Sequence, residues 1–114
     1  MHELGVTFTV LDTVEKIANE NGAEQVYKIT LELGEVSTVI PEYLEKCFKW
    51  SIAKRQMFTD CALAIEKIPA VTYCEECRTT YPTVEHGRIC PNCGSERTYL
   101  VQGNEFKIRD IEVG

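Results

Sequence analysis

Four cysteines in two close pairs are the residues of this sequence with the clearest chemistry. Cys74 pairs with Cys77 and Cys90 with Cys93, and residues 78–89 separate the two pairs. Each Cys-x-x-Cys pair can turn its backbone so that two thiolates point at one centre. Two such pairs close a tetrahedral sulfur site of the kind that zinc prefers. The spacing therefore predicts a structural zinc site.

Two other interpretations of these cysteines are open. Disulfides need an oxidising compartment, but the sequence shows no basic region followed by an apolar stretch, so no signal peptide is expected. A redox Cys-x-x-Cys needs only one pair at the start of a helix, and neither pair leads into an obvious helix. We expect a cytoplasmic, reducing location, which favours a metal over disulfides.

The composition narrows the class of partner. The chain has 114 residues, enough for one modest domain with a small annex, and a formal net charge of -6. In residues 74–100, three arginines stand against four glutamates, a net charge of -1, so the cysteine segment lacks the basic surface of a nucleic-acid binder. No apolar run approaches the ~18 residues of a membrane span. We expect protein or metal partners, with no nucleic acid and no membrane.

The spacing of apolar residues predicts two helices. The first runs from about Leu4 to about residue 20, where Asn21-Gly22 is a stop signal. The second begins at Pro41, because a missing N–H is tolerated at the first helical position. The residues expected on buried faces are Leu4, Phe8, Leu11, Val14, Ile17 and Ala18 in the first helix, and Leu44, Cys47, Phe48, Ser51 and Ile52 in the second.

Alternation of apolar and polar residues predicts three strands, at residues 25–33, 61–68 and 106–113. A helix lies between the first two strands, so they are expected to pair in parallel. The residues expected on the buried face of the first strand are Tyr27, Ile29, Leu31 and Leu33.

These elements predict an α+β fold. Residues 1–70 and 104–114 are expected to form a lobe with a small mixed three-stranded sheet and two helices. Residues 71–103 are expected to be an inserted zinc-ribbon lobe. An insertion of about thirty residues buries too little apolar surface to fold alone, so it needs additional stabilisation, such as a bound metal ion.

The first three residues offer a second kind of metal site. A free Met1 amine, the His2 backbone nitrogen and the His2 imidazole can close fused chelate rings around one ion, and Glu3 can supply a fourth donor. Planar, nitrogen-rich donor sets suit Ni(II) or Cu(II). From the residues alone, the alternative is a frayed terminus with no role.

The other histidine and the other two cysteines give weaker indications of a functional role. His86 lies between the cysteine pairs and is expected to be a solvated loop residue, or a spare ligand. Cys47 and Cys61 fall on predicted inward faces and are expected in the core. No nucleophile–base pattern, His-Glu-x-x-His or Gly-rich phosphate loop is present. A four-cysteine site leaves its metal no open position, so we expect that the chain is not an enzyme.

Together, these motifs resemble the HypA/HybF hydrogenase nickel-incorporation metallochaperones over nearly the whole chain. The specific part is the combination of an initial Met-His-Glu with the later cysteine pairs. The matching motifs are Met1-His2-Glu3-Leu4, Gly34-Glu35-Val36-Ser37 with Pro41-Glu42, the two cysteine pairs with Gly94-Ser95, and Ile108 to Val113.

The resemblance implies delivery of nickel during maturation of nickel–iron hydrogenase and, in some organisms, urease. It implies that Met1, His2 and Glu3 bind Ni(II) as transient cargo and that the four cysteines hold structural Zn(II). It also implies two partners, a nickel-handling GTPase and the hydrogenase large-subunit precursor. The alternatives are a structural zinc-ribbon module that only binds proteins and a redox enzyme that uses the cysteine pairs.

Overall fold

The computed structural model describes residues 3–114, which form an α+β protein with two three-stranded sheets. Within that range, no helix is both long and apolar enough to cross a membrane. The elements in chain order are α1 Glu3–Glu20, β1 Val26–Gly34, α2 Pro41–Ile52, a 3-10 turn Gln56–Phe58, β2 Ala62–Ile68, β3 Val71–Cys74, β4 Thr80–Pro82, α3 Thr83–His86, β5 Thr98–Gln102 and β6 Phe106–Val113.

The chain divides into two compact units. The described part of the first unit comprises residues 3–32, 39–66 and 107–114, and contains α1 and α2. The second comprises residues 33–38 and 67–106, and contains all four residues of the two cysteine pairs. The mixed α/β architecture with a four-cysteine lobe confirms the predicted fold class.

Helix α1 buries a stripe that differs from the predicted one at its edges. Leu11, Val14 and Ala18 are buried as expected. Leu4, Phe8 and Ile17 are each more than a third exposed, so their predicted burial is wrong. Thr7 is buried in their place, because its hydroxyl donates to the Glu3 carbonyl at 2.8 Å and so leaves no unsatisfied polar group. Val10 completes the buried stripe.

Helix α2 begins at Pro41, as predicted, with Glu42 in its first turn. The carboxylate there is favourable because it faces the positive end of the helix dipole. Leu44, Phe48 and Ser51 are buried, whereas Cys47 is only half-buried. The helix therefore turns a narrow apolar stripe inward and leaves most of its surface to solvent.

The first sheet has the order β2-β1-β6. Gln25, before β1, donates its side-chain amide to Thr59, before β2, and Glu35, after β1, donates its N–H to Ile68, the last residue of β2. Matching ends therefore meet, so β1 and β2 are parallel, as predicted. Gln25 also exchanges backbone hydrogen bonds with Gly114, after β6. The start of β1 thus meets the end of β6, and these two strands are antiparallel.

Strand β1 buries Val26, Ile29, Leu31 and Leu33, whereas Tyr27 is 52% exposed. The predicted burial of Tyr27 is therefore wrong. Val26 occupies the buried position at this end of the strand, and the Tyr27 ring lies against the Gly114 backbone. A Cβ built at Gly114 would be 2.4 Å from Cε2 of the ring.

The second sheet has the order β4-β3-β5, with both pairs antiparallel. Tyr73 pairs with Thr80 on one side and Tyr99 on the other, and the rings of Tyr73 and Tyr99 are 5.4 Å apart between centroids.

The Glu35 carboxylate accepts a 2.8 Å hydrogen bond from the Ala70 N–H. Residues 33–38 are thus bound into the unit that carries the cysteines.

Candidate metal centre

Two matching turns carry the four cysteines. The N–H of Cys74 bonds the Thr79 carbonyl, and the Arg78 N–H bonds the Cys74 carbonyl. The second turn repeats this pattern over six residues: the Cys90 N–H bonds the Ser95 carbonyl, and the Gly94 N–H bonds the Cys90 carbonyl. Each turn brings the second cysteine of its pair back towards the first.

The fifth residue of each turn has a left-handed backbone. Gly94 has φ 73° and Arg78 has φ 60°. Glycine adopts this conformation freely, whereas a residue with a Cβ does so at a cost of about 1 kcal/mol. The first turn therefore carries a conformational cost that the second avoids.

The four sulfur atoms come together at one point. Their Sγ atoms all lie within 4.8 Å of one another. The Sγ of Cys74 is 3.5 Å from that of Cys93, and the Sγ of Cys77 is 3.6 Å from that of Cys90. A disulfide would need about 2.05 Å, so these are free thiols. Tetrahedral zinc with Zn–S bonds of about 2.3 Å needs sulfurs about 3.8 Å apart, and the cluster fits that requirement.

The cluster is also the core of its lobe. Cys74 is fully buried and Cys90 is 1% exposed, and they pack with the Tyr81 ring. The Tyr81 hydroxyl donates to the Gly87 carbonyl at 2.9 Å, which satisfies its polar end. A core made largely of thiols gains little from apolar burial alone, so a metal ion bound by those thiols would add much of the stabilisation.

Hydrogen bonds favour the thiolate at two of the cysteines. The Thr79 hydroxyl, 3.0 Å from the Cys77 sulfur, is the main reason that the pKa of Cys77 falls from 9.0 to about 6, with Asn92 adding to the effect. Burial opposes ionisation of Cys90, but the backbone N–H groups of Cys93 and Asn92 outweigh it and lower the pKa of Cys90. Thiolates are the form that binds a metal.

The pKa of Cys93, in contrast, is raised. The Ser95 backbone N–H lowers its pKa, but burial and the three neighbouring thiols act against it and raise the pKa to about 12. Four thiolates cannot gather at this spacing without a cation between them, because like charges so close disfavour ionisation. The donor set is therefore suited to a dipositive soft ion that binds all four sulfurs.

The other predicted site residues lie elsewhere. Glu3 is the first residue of α1 and lines a cavity of about 310 Å³ with Leu4, Tyr43, Lys46 and Cys47. Met1 and His2 lie outside the described residues. His86 ends the short helix α3 and meets the Tyr81 ring edge-on at 5.9 Å. The metal-ligand group formed within residues 3–114 does not include it.

Cys47 and Cys61 differ in burial. Cys61 is 7% exposed, and burial raises the pKa of its thiol from 9.0 to about 11. It is a core residue, as expected, whereas Cys47 is only half-buried beside the cavity at Glu3.

Sequence reasoning missed Thr79 and Arg78, which shape the first cysteine turn. Neither has a sequence signal of its own. A threonine gives no sign in the sequence that its hydroxyl meets a sulfur, and arginine gives no hint of a left-handed backbone.

The similarity of this chain to a known protein family extends over almost its whole length. A family model described as "Hydrogenase/urease nickel incorporation, metallochaperone, hypA" matches residues 1–113. The hydrogenase maturation factor HypA of Dechloromonas aromatica is 33% identical over 113 residues, which cover 99% of each chain. HypA of Dehalococcoides mccartyi is 34% identical over 113 residues, 99% of this chain and 94% of the relative. HybF of Klebsiella pneumoniae is 32% identical over 113 residues, 98% of each chain.

Solved structures share the fold. The solution structure of the Ni metallochaperone HypA from Helicobacter pylori superposes with a TM-score of 0.72 at 23% identity, covering 99% of this chain and 97% of that one. A second solution structure of a HypA protein gives a TM-score of 0.74 at 23% identity, covering 99% and 96%. At this level of identity the likeness concerns the fold.

Proposed function

Because the chain belongs to the hydrogenase/urease nickel-incorporation metallochaperone family, we propose that it binds Ni(II) through Met1, His2 and Glu3. It delivers the ion during maturation of nickel–iron hydrogenase, with urease as a second client. The observation that carries the proposal is the family match from residue 1 to residue 113, which includes the initial Met-His-Glu.

The chemistry of these residues supports nickel as cargo. An α-amine has a pKa near 7.7–8 and a histidine near 6.5, so both nitrogens can be free for a metal near neutral pH. Glu3 opens α1, so the helix anchors the last residue of the proposed arm. Nitrogen donors in a plane favour Ni(II) or Cu(II) over zinc. A ligand set at the end of the chain also allows transfer to a client one ligand at a time.

The four cysteines are the proposed zinc ligands. Cys74, Cys77, Cys90 and Cys93 use all four positions of a tetrahedral ion, so Zn(II) there is structural and has no open position for catalysis. The zinc lobe is taken as residues 71–103, and the nickel lobe as residues 1–70 and 104–114. The chain is a carrier and not an enzyme.

The proposed partners follow from the same role. A nickel-handling GTPase of hydrogenase maturation and the hydrogenase large-subunit precursor are the proteins with which the chain would exchange nickel. We propose that this exchange takes place in the cytoplasm, where both partners would be made.

The test is a nickel titration of untagged, zinc-loaded protein by calorimetry, with metal analysis of the same samples. His2→Ala, or one residue added before Met1, should abolish tight nickel binding and leave zinc content unchanged. His86→Ala is the matched control and should bind nickel as the wild type does. Unchanged nickel affinity in the His2→Ala variant would exclude the proposed site and favour a structural zinc-ribbon module.

A further inference from the structure

The four residues of the cysteine cluster differ in their access to solvent. Cys93 is exposed and Cys77 is half-buried, whereas Cys74 and Cys90 are 0% and 1% exposed. A Cβ built at Gly94 meets no atom within 4 Å, so the backbone beside Cys93 is open as well. A small molecule in the solvent therefore reaches the cluster first at Cys93.

Two contacts between sulfur atoms cross from one cysteine turn to the other. The Sγ of Cys93 lies 3.5 Å from that of Cys74, and the Sγ of Cys90 lies 3.6 Å from that of Cys77. Atoms held about 3–3.5 Å apart are close enough to react without further approach. Cys74 is therefore placed to attack the Cys93 sulfur once that sulfur has become electrophilic.

A metal ion bound by four cysteines holds them as thiolates. Hydroperoxides oxidise thiolates, and an exposed thiolate reacts more readily than a buried one. We propose that Cys93 is an oxidation site for hydroperoxides, and that Cys74 then forms a disulfide with it across the two turns and releases the zinc ion. This inference rests on the zinc ligands of the proposed function and does not depend on nickel.

The reaction with hydrogen peroxide has two steps. In the first, the Cys93 sulfur attacks one peroxide oxygen, an S–O bond forms and the O–O bond breaks. Sulfur loses two electrons and becomes a sulfenic acid, peroxide is reduced, and the departing hydroxide takes a proton from solvent and leaves as water. In the second, the Cys74 thiolate attacks the Cys93 sulfur, the S–S bond forms and the S–O bond breaks. The hydroxide released there takes a second proton and also leaves as water.

The disulfide removes two of the four zinc ligands. Cys77 and Cys90 remain as thiolates, but two sulfurs do not complete the tetrahedral set that holds a structural zinc ion. A second peroxide can oxidise this remaining pair by the same two steps. A thiol reductant reverses both disulfides, so the site should bind zinc again after reduction.

The experiment treats zinc-loaded, untagged protein with hydrogen peroxide and follows the released zinc with a colour-forming chelator. The zinc content of the untreated protein is measured first. Peroxide should release the zinc, and dithiothreitol with added zinc should restore the original content. Free thiols are alkylated after treatment with one peroxide per chain, and digestion with trypsin then locates the first disulfide.

The tryptic peptides distinguish the possible disulfides. Trypsin cuts after lysine and arginine, so peptide 68–78 carries the first cysteine pair and peptide 89–97 the second. A disulfide across the two turns links these peptides, whereas a disulfide within either pair leaves them separate. We expect the linked peptides, and their fragmentation should place the bond between Cys74 and Cys93.

Two histidine variants compare the exposed position with another ligand position. Cys93→His removes the exposed sulfur and keeps three cysteines and one histidine, a set that zinc accepts, so zinc release should slow by at least about tenfold. Cys77→His makes the same change of ligand but retains Cys74 and Cys93, and it should still give the linked peptides. Cys47→Ser lies outside the cluster and should react as the wild type does. The zinc content of each variant before treatment verifies the site.

Several results would overturn the inference and leave the proposed function standing. They are zinc that stays bound after oxidation, a disulfide within either pair, sulfinic acid at Cys93 in place of the linked peptides, and equal rates of zinc release from Cys93→His and Cys77→His. Untreated wild-type protein that holds no zinc would instead refute the proposed zinc ligands themselves.

Discussion

Gly34 lies so close to Gly103 that a Cβ at position 34 would be 2.0 Å from the Gly103 carbonyl oxygen. That same carbonyl accepts a 2.8 Å hydrogen bond from the Val36 N–H. A Cβ at Gly103 would in turn be 2.4 Å from the Ala70 Cα. Three backbone segments therefore meet with no room for a side chain, and this junction holds residues 33–38 in the cysteine-bearing unit.

Gly34→Ala should consequently destabilise the protein by about 2 kcal/mol or more, because the added methyl meets rigid backbone and not a movable side chain. Denaturant unfolding of the zinc-loaded protein measures this. Gly5→Ala is the control, since nothing lies within 4 Å of a Cβ at Gly5. That helical site should gain up to about 1 kcal/mol. Equal stability of Gly34→Ala and wild type would contradict the close approach.

The two cysteine turns predict opposite effects for two substitutions. Arg78→Gly should stabilise the zinc-loaded lobe by about 0.5–1 kcal/mol, because it relieves a left-handed backbone that arginine disfavours. Gly94→Ala should destabilise it by about 1 kcal/mol for the same reason, since no atom lies within 4 Å of a Cβ there and only the backbone conformation matters. Unfolding at fixed free zinc compares them. A loss of stability in Arg78→Gly would show that its side chain contributes more than its backbone costs.

Cys61 predicts how stability depends on pH in the alkaline range. Burial raises the pKa of this thiol from 9.0 to about 11, so the folded protein holds the proton that the unfolded chain releases. The contribution of the neutral thiol is complete below pH 9 and is lost as the pH rises through 11, a decline of up to about 3 kcal/mol.

The Cys61→Ala variant isolates the pH-dependent contribution of this thiol to the free energy of unfolding. Its cavity cost is the same at every pH, so the difference in unfolding free energy between wild type and variant should shrink from pH 8.5 to pH 11 by about that amount. Both proteins are measured with zinc bound, so that the metal-binding cysteines contribute equally. A difference that stays constant with pH would mean that Cys61 is not held neutral by burial.

The sequence predicted most of the architecture because its signals are local. Apolar spacing located α1, α2 and the three strands of the first sheet, and the Cys-x-x-Cys spacing located the cluster whose sulfurs meet within 4.8 Å. The short strands β3, β4 and β5 and the helix α3 of the cysteine-bearing unit were not predicted. Such patterns depend only on the period of a helix or strand and on the reach of a short turn. They carry over to the structure with boundaries shifted by one or two residues.

The errors concern contacts between distant residues. Phe8 and Thr7 are neighbours on α1, so a shift of one position decides which of them faces inward, and tertiary packing buries Thr7. Tyr27 is 52% exposed, and its ring lies against Gly114, 87 positions away in the chain. Similarly, no local pattern marks Gly34 as the partner of Gly103. Tertiary packing overrides local preference at such positions.

Thr79 gives the sharpest test of how the protein prepares its metal centre. Its hydroxyl lies 3.0 Å from the Cys77 sulfur and is the main cause of the lowered pKa of that thiol. A hydroxyl that donates to a ligating thiolate orients it and stabilises its charge, and the loss of such partners typically costs 10–100-fold in metal affinity. Thr79→Val keeps the shape and removes only the donor, so zinc affinity should fall by about tenfold in competition with a chelator of known strength. Thr80→Val, at an exposed position of β4, controls for the added methyl and should bind zinc as the wild type does. If the two variants lose affinity equally, the effect comes from the strand and not from the bond to sulfur.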